Sequence, residues 1–513
     1  MRAIIIILFA AVAAACGSVH DRSACASSAD CPAGSYCART GDGNVCWADA
    51  VAPVVSGVSV ACDHEPCLRS DVLRVAATVA DAEVAKVEVS AGGPAVPMVH
   101  SGGGRWEAVV PLVRVAFEAF EAEIVATVTA RDGARNERSV AAGAVLVTRL
   151  AWEEPFGTGL AHPAVAADGT IAVPGNNGKV HLVTWDGDYV GSVLLGSGAF
   201  PITAAPLALG TSVWVGSEDN KVYEVKKNGG GGWEAFQRAD TGGPIRGSLG
   251  LSLDDRVLAA SEIGRLYAVT SSGSPNSSLG PSYSLGPVTQ VDGTAYAIGG
   301  ASVRRFTILL GAPEMDPTAV TIGSPVSVPL AIADGVIAVA SNGSDGLLKR
   351  VVSFDADPEH VATTGMPSGG VAVMADGSIL VPEQAKTVSR WTREGTAFPG
   401  WNKRDLGGAA RTPLVVDAES SPFVVSTGGG AVHALRPDGS IAWSRQFATA
   451  ALQPGNIYTP PGQPPDEVTS IAYFAGADGW LHAVIVDGKL DGNAPWPKAF
   501  HDPRNTNRAG AQP

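Results

Sequence analysis

The sequence predicts an all-β protein: an eight-bladed β-propeller preceded by an Ig-like β-sandwich and a small disulfide-rich segment. Three observations predict it. First, 62 glycines and 35 prolines stand among 513 residues, of which only 17% are charged, which describes a turn-rich chain. No extended stretch repeats its apolar residues every 3.6 positions; alternating runs such as "TSVWVGS" and "KVYEV" recur instead. Second, from about residue 150 the chain repeats one strand–turn–strand unit. Third, all seven cysteines lie within the first 67 residues. A chain this long exceeds one ordinary core, so several domains are expected: a signal peptide at 1–15, a Cys-rich segment at 16–50, the sandwich at 51–149 and the propeller at 150–513.

The first residues read as an export signal. Arg2 supplies the positive start, "AIIIILFAAVAAA" (3–15) the apolar stretch and "AAA" a small-residue cleavage site. The apolar run is short for a bilayer span. Setting Cys16 aside leaves six cysteines, Cys25, Cys31, Cys37, Cys46, Cys62 and Cys67, enough for three disulfides in an oxidising compartment. "AAAC" followed by Gly17 resembles the lipobox of bacterial lipoproteins. That resemblance implies a lipid on Cys16 and, with Gly17 rather than Asp behind it, onward passage to the outer membrane. Ala13 stands where that family prefers Leu, and plain cleavage after Ala15 is the alternative.

Four of the cysteines are spaced C-x5-C-x5-C-x8-C, in a segment too short to bury a core. Disulfides are expected rather than zinc, because no C-x2-C pair is present. Their pairing is open. Cys62 and Cys67 flank "DHEP" and read as a small closed loop. The sandwich is expected from "GVSVAC", "VLRVAATVAD", "VAKVEVSA", "RWEAVVPL", "AEIVATVTARD" and "GAVLVTRL", alternating runs with turn signals between them. "VTARDGARNERS" resembles the last hairpin of bacterial Ig-like domains.

Beyond residue 150 eight units are legible, from "HPAVAADGTIAVPGNNGKVHLVTWDGD" (162–188) to "VTSIAYFAGADGWLHAVIVDG" (468–488). Their spacing of roughly 40–45 residues suits a four-stranded blade. The D-G pairs between apolar runs predict type I′ turns. "GRLYAV", "GAVHALRPDGSIAW" and "DGSIL" resemble the PQQ-like, quinoprotein-type propeller repeat, and "APWPKAFHDPRNTNRAG" (494–510) is similar to the closing segment of such proteins. "RLAWEEPFGT" (149–158) parallels "SIAWSRQFAT" (440–449), so the Trp152 strand is expected to complete the eighth blade, with the Trp496 segment as the alternative.

Three histidines, His181, His433 and His482, each follow a glycine, a variable residue and an aliphatic. Three could hold zinc. In the repeat frame they occupy one slot, which Tyr223 and Tyr267 fill elsewhere, so they read as packing residues and no metal is expected.

No cofactor or catalytic residue is expected either. Quinone-binding members of the resembled family use an adjacent cysteine pair, and the propeller has no cysteine. No G-x-S-x-G or H-E-x-x-H motif is present. "DADPEH" (355–360) reads as an inter-blade loop, "KKNGGGGW" (226–233) as a flexible turn, and "LQPGNIYTPPGQPPDEV" (452–468) as an exposed insertion on one propeller face or a rigid linker inside blade eight. The net charge of −14 disfavours nucleic acid. The expected function is a non-catalytic, lipid-anchored envelope scaffold for other proteins. The resemblance implies an analogue in the eight-bladed lipoprotein of the barrel-assembly machinery, which lacks the two N-terminal modules. Binding of surface glycans or peptides is the alternative, and a quinoprotein dehydrogenase a second.

Overall fold

The computed structural model describes residues 19–510, apart from 42, 82, 199, 274, 284, 310, 327, 342–346, 364, 385, 402, 409–414, 417–421, 427–429, 448–451, 454, 466 and 499. The expected signal peptide (1–15) and Cys16 lie outside the described residues. The chain forms two compact units, one of Met1–Phe117 and Glu121–Thr148, the other of Glu118–Phe120 and Arg149–Pro513.

The first unit begins with a three-stranded sheet, Val19–Ala24, Gly43–Ala48 and Ser35–Thr40. Disulfides Cys25–Cys37 and Cys31–Cys46 staple it where a segment this short has little else to bury. Two further sheets follow. Val54–Ala61, Val72–Ala80, Arg105–Pro111 and Val99–Gly102 form one; Cys67–Leu68, Glu137–Thr148, Glu121–Asp132, Val84–Ser90 and Val96–Pro97 form the other. Period-2 alternation explains their common core: Leu73, Val75, Ala77 and Val79 of one sheet pack with Val87, Val89, Ala126 and Val128 of the other. Cys62 and Cys67 are bonded at the head of the second sheet. The small sheet is tied to the "ARDGARNERS" turn: Gly34 N–H donates to Ala134 O (3.2 Å), and Asn136 Nδ2 to Asp49 O (2.8 Å).

Among the described residues, the second unit contains eight four-stranded antiparallel sheets. Seven run in chain order, at 164–194, 207–240, 250–279, 288–321, 331–363, 372–405 and 415–446. In the eighth, Asn456–Tyr458, Ser470–Ala475 and Trp480–Val486 are joined by Leu150–Pro155, which pairs antiparallel with Trp480–Val486. An early strand thus completes the last sheet, while the Trp496 segment does something else, described below.

Successive sheets share cores, and the sharing closes on itself. Ala172 faces the second sheet, whereas Ile171 and Val173 pack against Ile471 and Tyr473 of the eighth. Further clusters join the second sheet to the third, the third to the fourth, and so on to the eighth. Both faces of each middle strand are buried, which explains runs such as "IAVP" and "VLAAS" that are apolar without alternation. The result is a closed ring of sheets, a β-propeller.

Two sequence expectations change here. The D-G pairs mostly do not form type I′ turns. At 166–170 the N–H of Ala166 donates to Thr170 O (2.8 Å) and that of Gly169 to Ala166 O (3.0 Å). Only the glycine takes positive φ (+80°), and Asp168 accepts from Thr170 N–H (3.0 Å). The same pattern recurs at 290–294, 374–378 and 436–440. The aspartate is kept for its carboxylate, which caps the turn, not for left-handed backbone. Asp334–Gly335 is the exception, with both residues at positive φ. The other change concerns loops. "DADPEH" is a turn inside the fifth sheet that leads into Glu359–Thr363, not a link between sheets. The Pro-rich stretch contains the first strand of the eighth sheet, Asn456–Tyr458, and Gln463 clamps the loop behind it through Thr469 N–H (2.6 Å) and Thr469 O (2.7 Å).

These turns carry a graded prediction. Asp292→Ala removes one turn hydrogen bond and is expected to cost about 1 kcal/mol. Asp376→Ala also strips the buried Arg390 of its carboxylate (2.7 Å) and is expected to cost roughly 3 kcal/mol. Denaturant midpoints of the two variants would check the order; equal losses would refute it.

Candidate functional site

His181, Tyr223, Tyr267, His433 and His482 each stand third in the third strand of their sheets. All five are buried, but they meet different partners. His181 packs on Phe156 (ring centroids 4.5 Å, 32° between planes) and His482 on Phe447 (4.6 Å, 35°). His482 Nδ1 also meets Glu153 Oε1 (2.7 Å), and His433 Nδ1 meets Ser444 Oγ (2.7 Å). The Tyr223 hydroxyl donates to Asp219 Oδ2 (2.5 Å), and that of Tyr267 to Thr241 O (2.9 Å). Neither ring nitrogen of His181 has a protein partner, and burial pushes its imidazole down to about 4. The cysteine sulfurs come closer together: those of Cys25, Cys31 and Cys46 lie within 4.8 Å of one another. All three are held in disulfides and offer no thiolate to a metal.

The axis of the ring is where the sequence was least readable. There the C-terminal segment makes a circuit past the first strands of the sheets. Val373 N–H of the sixth sheet donates to Trp496 O (2.9 Å), and Val416 of the seventh to Pro497 O (2.9 Å). In the eighth sheet Asn456 Nδ2 donates to Pro503 O (2.7 Å). Val165, Ala208, Leu251 and Thr289 of the first four sheets donate to the carbonyls of Pro503, Arg504, Thr506 and Asn507 (2.7–2.9 Å). A first strand at the hub has one unpaired edge, and this segment satisfies it.

Asp502 folds the segment on itself, accepting from Thr506 N–H (3.0 Å) and Oγ1 (2.8 Å). Lys498 Nζ donates to Asp502 O (3.1 Å) and Asn505 Oδ1 (2.8 Å). Burial pushes the Lys498 ammonium down to about 7, against the pull of Asp502, and the His501 imidazole down to about 4. His162, edge-on to Phe500 at 5.0 Å, is pushed down to about 3 by burial, with Lys498 adding to the effect.

Above this segment lies an open cleft of about 500 Å³ between the first and eighth sheets. Its walls are Val165, Ile457, Tyr458 and Leu490, and its charged groups are Lys489 and Arg504. The Gln463-clamped loop begins at its rim, beyond Thr459. Among the residues that line it none is a carboxylate.

Residues 121–278 match the family model described as outer membrane protein assembly factor BamB. The second unit is a β-propeller, and part of it resembles the PQQ-like repeat. Solved structures agree on the fold. Sqt1 of Saccharomyces cerevisiae superposes with a TM-score of 0.52 at 13% identity, covering 65% of this chain and 97% of its own. BamB of Moraxella catarrhalis gives 0.50 at 16%, covering 65% and 98%. No curated protein sequence matches the chain. The PQQ-like match extends from the last hairpin of the first unit through the third sheet of the second.

Proposed function

We propose that the protein is an exported, lipid-anchored component of the bacterial cell envelope whose propeller binds other proteins without catalysing a reaction. The observation that carries this reading is the match of residues 121–278 to a family described as an outer membrane protein assembly factor. Two features support it. The ring's axis holds the chain's own C-terminal segment, which leaves the faces and rim for partners. Three disulfides suit an oxidising compartment. Among the described residues no helix is long and apolar enough to cross a membrane, and the proposed attachment is a lipid on Cys16.

One experiment tests location and partner together. Membranes from cells expressing the tagged chain would be crosslinked, and the mature N-terminus read by mass spectrometry. We expect an acylated Cys16 and crosslinks to outer-membrane assembly proteins. An unmodified N-terminus in a soluble fraction would remove the anchor. Glycan-array binding with no protein crosslink would replace the scaffold by a carbohydrate receptor.

A further inference from the structure

We propose that the hub of the propeller is a peptide-binding site, and that residues 494–510 are its resident ligand, separable from the ring that holds them. The contacts are those of a bound peptide. The ring supplies N–H donors from the first strands of six sheets, at Val165, Ala208, Leu251, Thr289, Val373 and Val416. The segment supplies the carbonyls. Its side chains add a register. Asn505 Nδ2 donates to Pro163 O (3.1 Å) and Pro206 O (3.0 Å), and Asn507 Nδ2 to Leu249 O (3.0 Å). Pro163, Pro206 and Leu249 each immediately precede the first strand of their sheets. The asparagines of "RNTNR" therefore read one repeated carbonyl in three successive sheets.

The ligand is also shaped in advance. Phe500, His501, Asn505 and Asn507 all take positive φ, between 50° and 73°. Such backbone costs free energy at non-glycine residues and persists where surroundings fix it. Here Asp502, Lys498 and the Asn507 N–H bond to Phe500 O (3.1 Å) fix it from within the segment. Trp496 anchors the other end, fully buried among Ala331, Val339 and Val373. The site takes a folded Asn- and Asp-bearing peptide led by an aromatic anchor.

The connection to the ring passes through Gly492 and Asn493, which are exposed. A protease recognition sequence inserted between them in the full chain lets the segment be cut without deleting it. After cleavage we expect the peptide to co-elute with the propeller and the thermal midpoint to be kept. A fluorescent synthetic peptide of residues 494–510 is expected to exchange into the cut protein. The same peptide carrying Asn505→Ala and Asn507→Ala is expected to bind at least tenfold more weakly. Immediate loss of the segment with an unchanged midpoint would show that the hub does not hold it. Collapse of the cut protein, or failure of the labelled peptide to enter, would show that the segment is inseparable from the fold. Equal binding of the two peptides would overturn the asparagine register.

Discussion

Between pH 6.5 and about 4 the propeller is expected to lose stability steeply. His181 and His501 are held down to about 4 by burial, and His162 to about 3, against an ordinary value of 6.5. In this window the unfolded chain binds protons that the native one refuses, so falling pH favours unfolding. Each such histidine contributes about 1.4 kcal/mol per pH unit, and three acting together roughly 4. Two such units cost roughly 8 kcal/mol, comparable with the whole stability of a domain at about 5–15 kcal/mol. His433 and His482 are lowered by burial as well and add to the slope.

Lys498 extends the trend upward: from about 7 to 10.5 the unfolded lysine keeps a proton that the native one has lost, so stability still rises. Tyr283 and Tyr296, pushed up to about 12 by burial, reverse it, because above 10 only the unfolded phenols ionise. Denaturant midpoints from pH 4 to 11 are expected to peak at about 9 to 10. His181→Phe should flatten the acid limb, since its ring position beside Phe156 suits an aromatic. A flat profile from pH 4 to 7 would contradict the whole account.

Gly286→Ala is expected to cost about 3 kcal/mol or more. A Cβ at Gly286 would lie 2.1 Å from Ser248 O and 2.7 Å from its carbonyl carbon, and backbone cannot rotate aside. Gly247 answers it from the segment leading into the third sheet, where an added Cβ would meet Gly286 N at 2.3 Å. The segments leading into the third and fourth sheets thus touch backbone to backbone. Gly229→Ala is the control: it has open space and ordinary φ, and is expected to change stability by less than about 0.5 kcal/mol. Thermal melts of both variants decide it; a silent Gly286→Ala would mean the two sheets can part.

The ring was legible because its signals are local and repeated. Most "DG" pairs and each "G-x-[VL]-[HY]" fall within a single sheet, so one unit calibrates the next. Turn type was not legible. "DG" is compatible with either geometry, and the pairing Val165↔Ile171 leaves five residues between, where Ala333↔Val336 leaves two. The hub was hidden for a different reason. "HDPRNTNR" has neither alternation nor periodicity, and its partners lie 47–342 residues away, as with Pro503–Asn456 and Asn505–Pro163. Buried polar residues in such a stretch look like a frayed end until the strands that surround them are known.

The circuit at the hub also sets an order of manufacture. The first sheet is synthesised some three hundred residues before Pro503, the acceptor that satisfies Val165. Until that residue has been made, the inner edges of the ring stand open to proteases and to one another. A chain broken off before residue 494 lacks the piece that covers them.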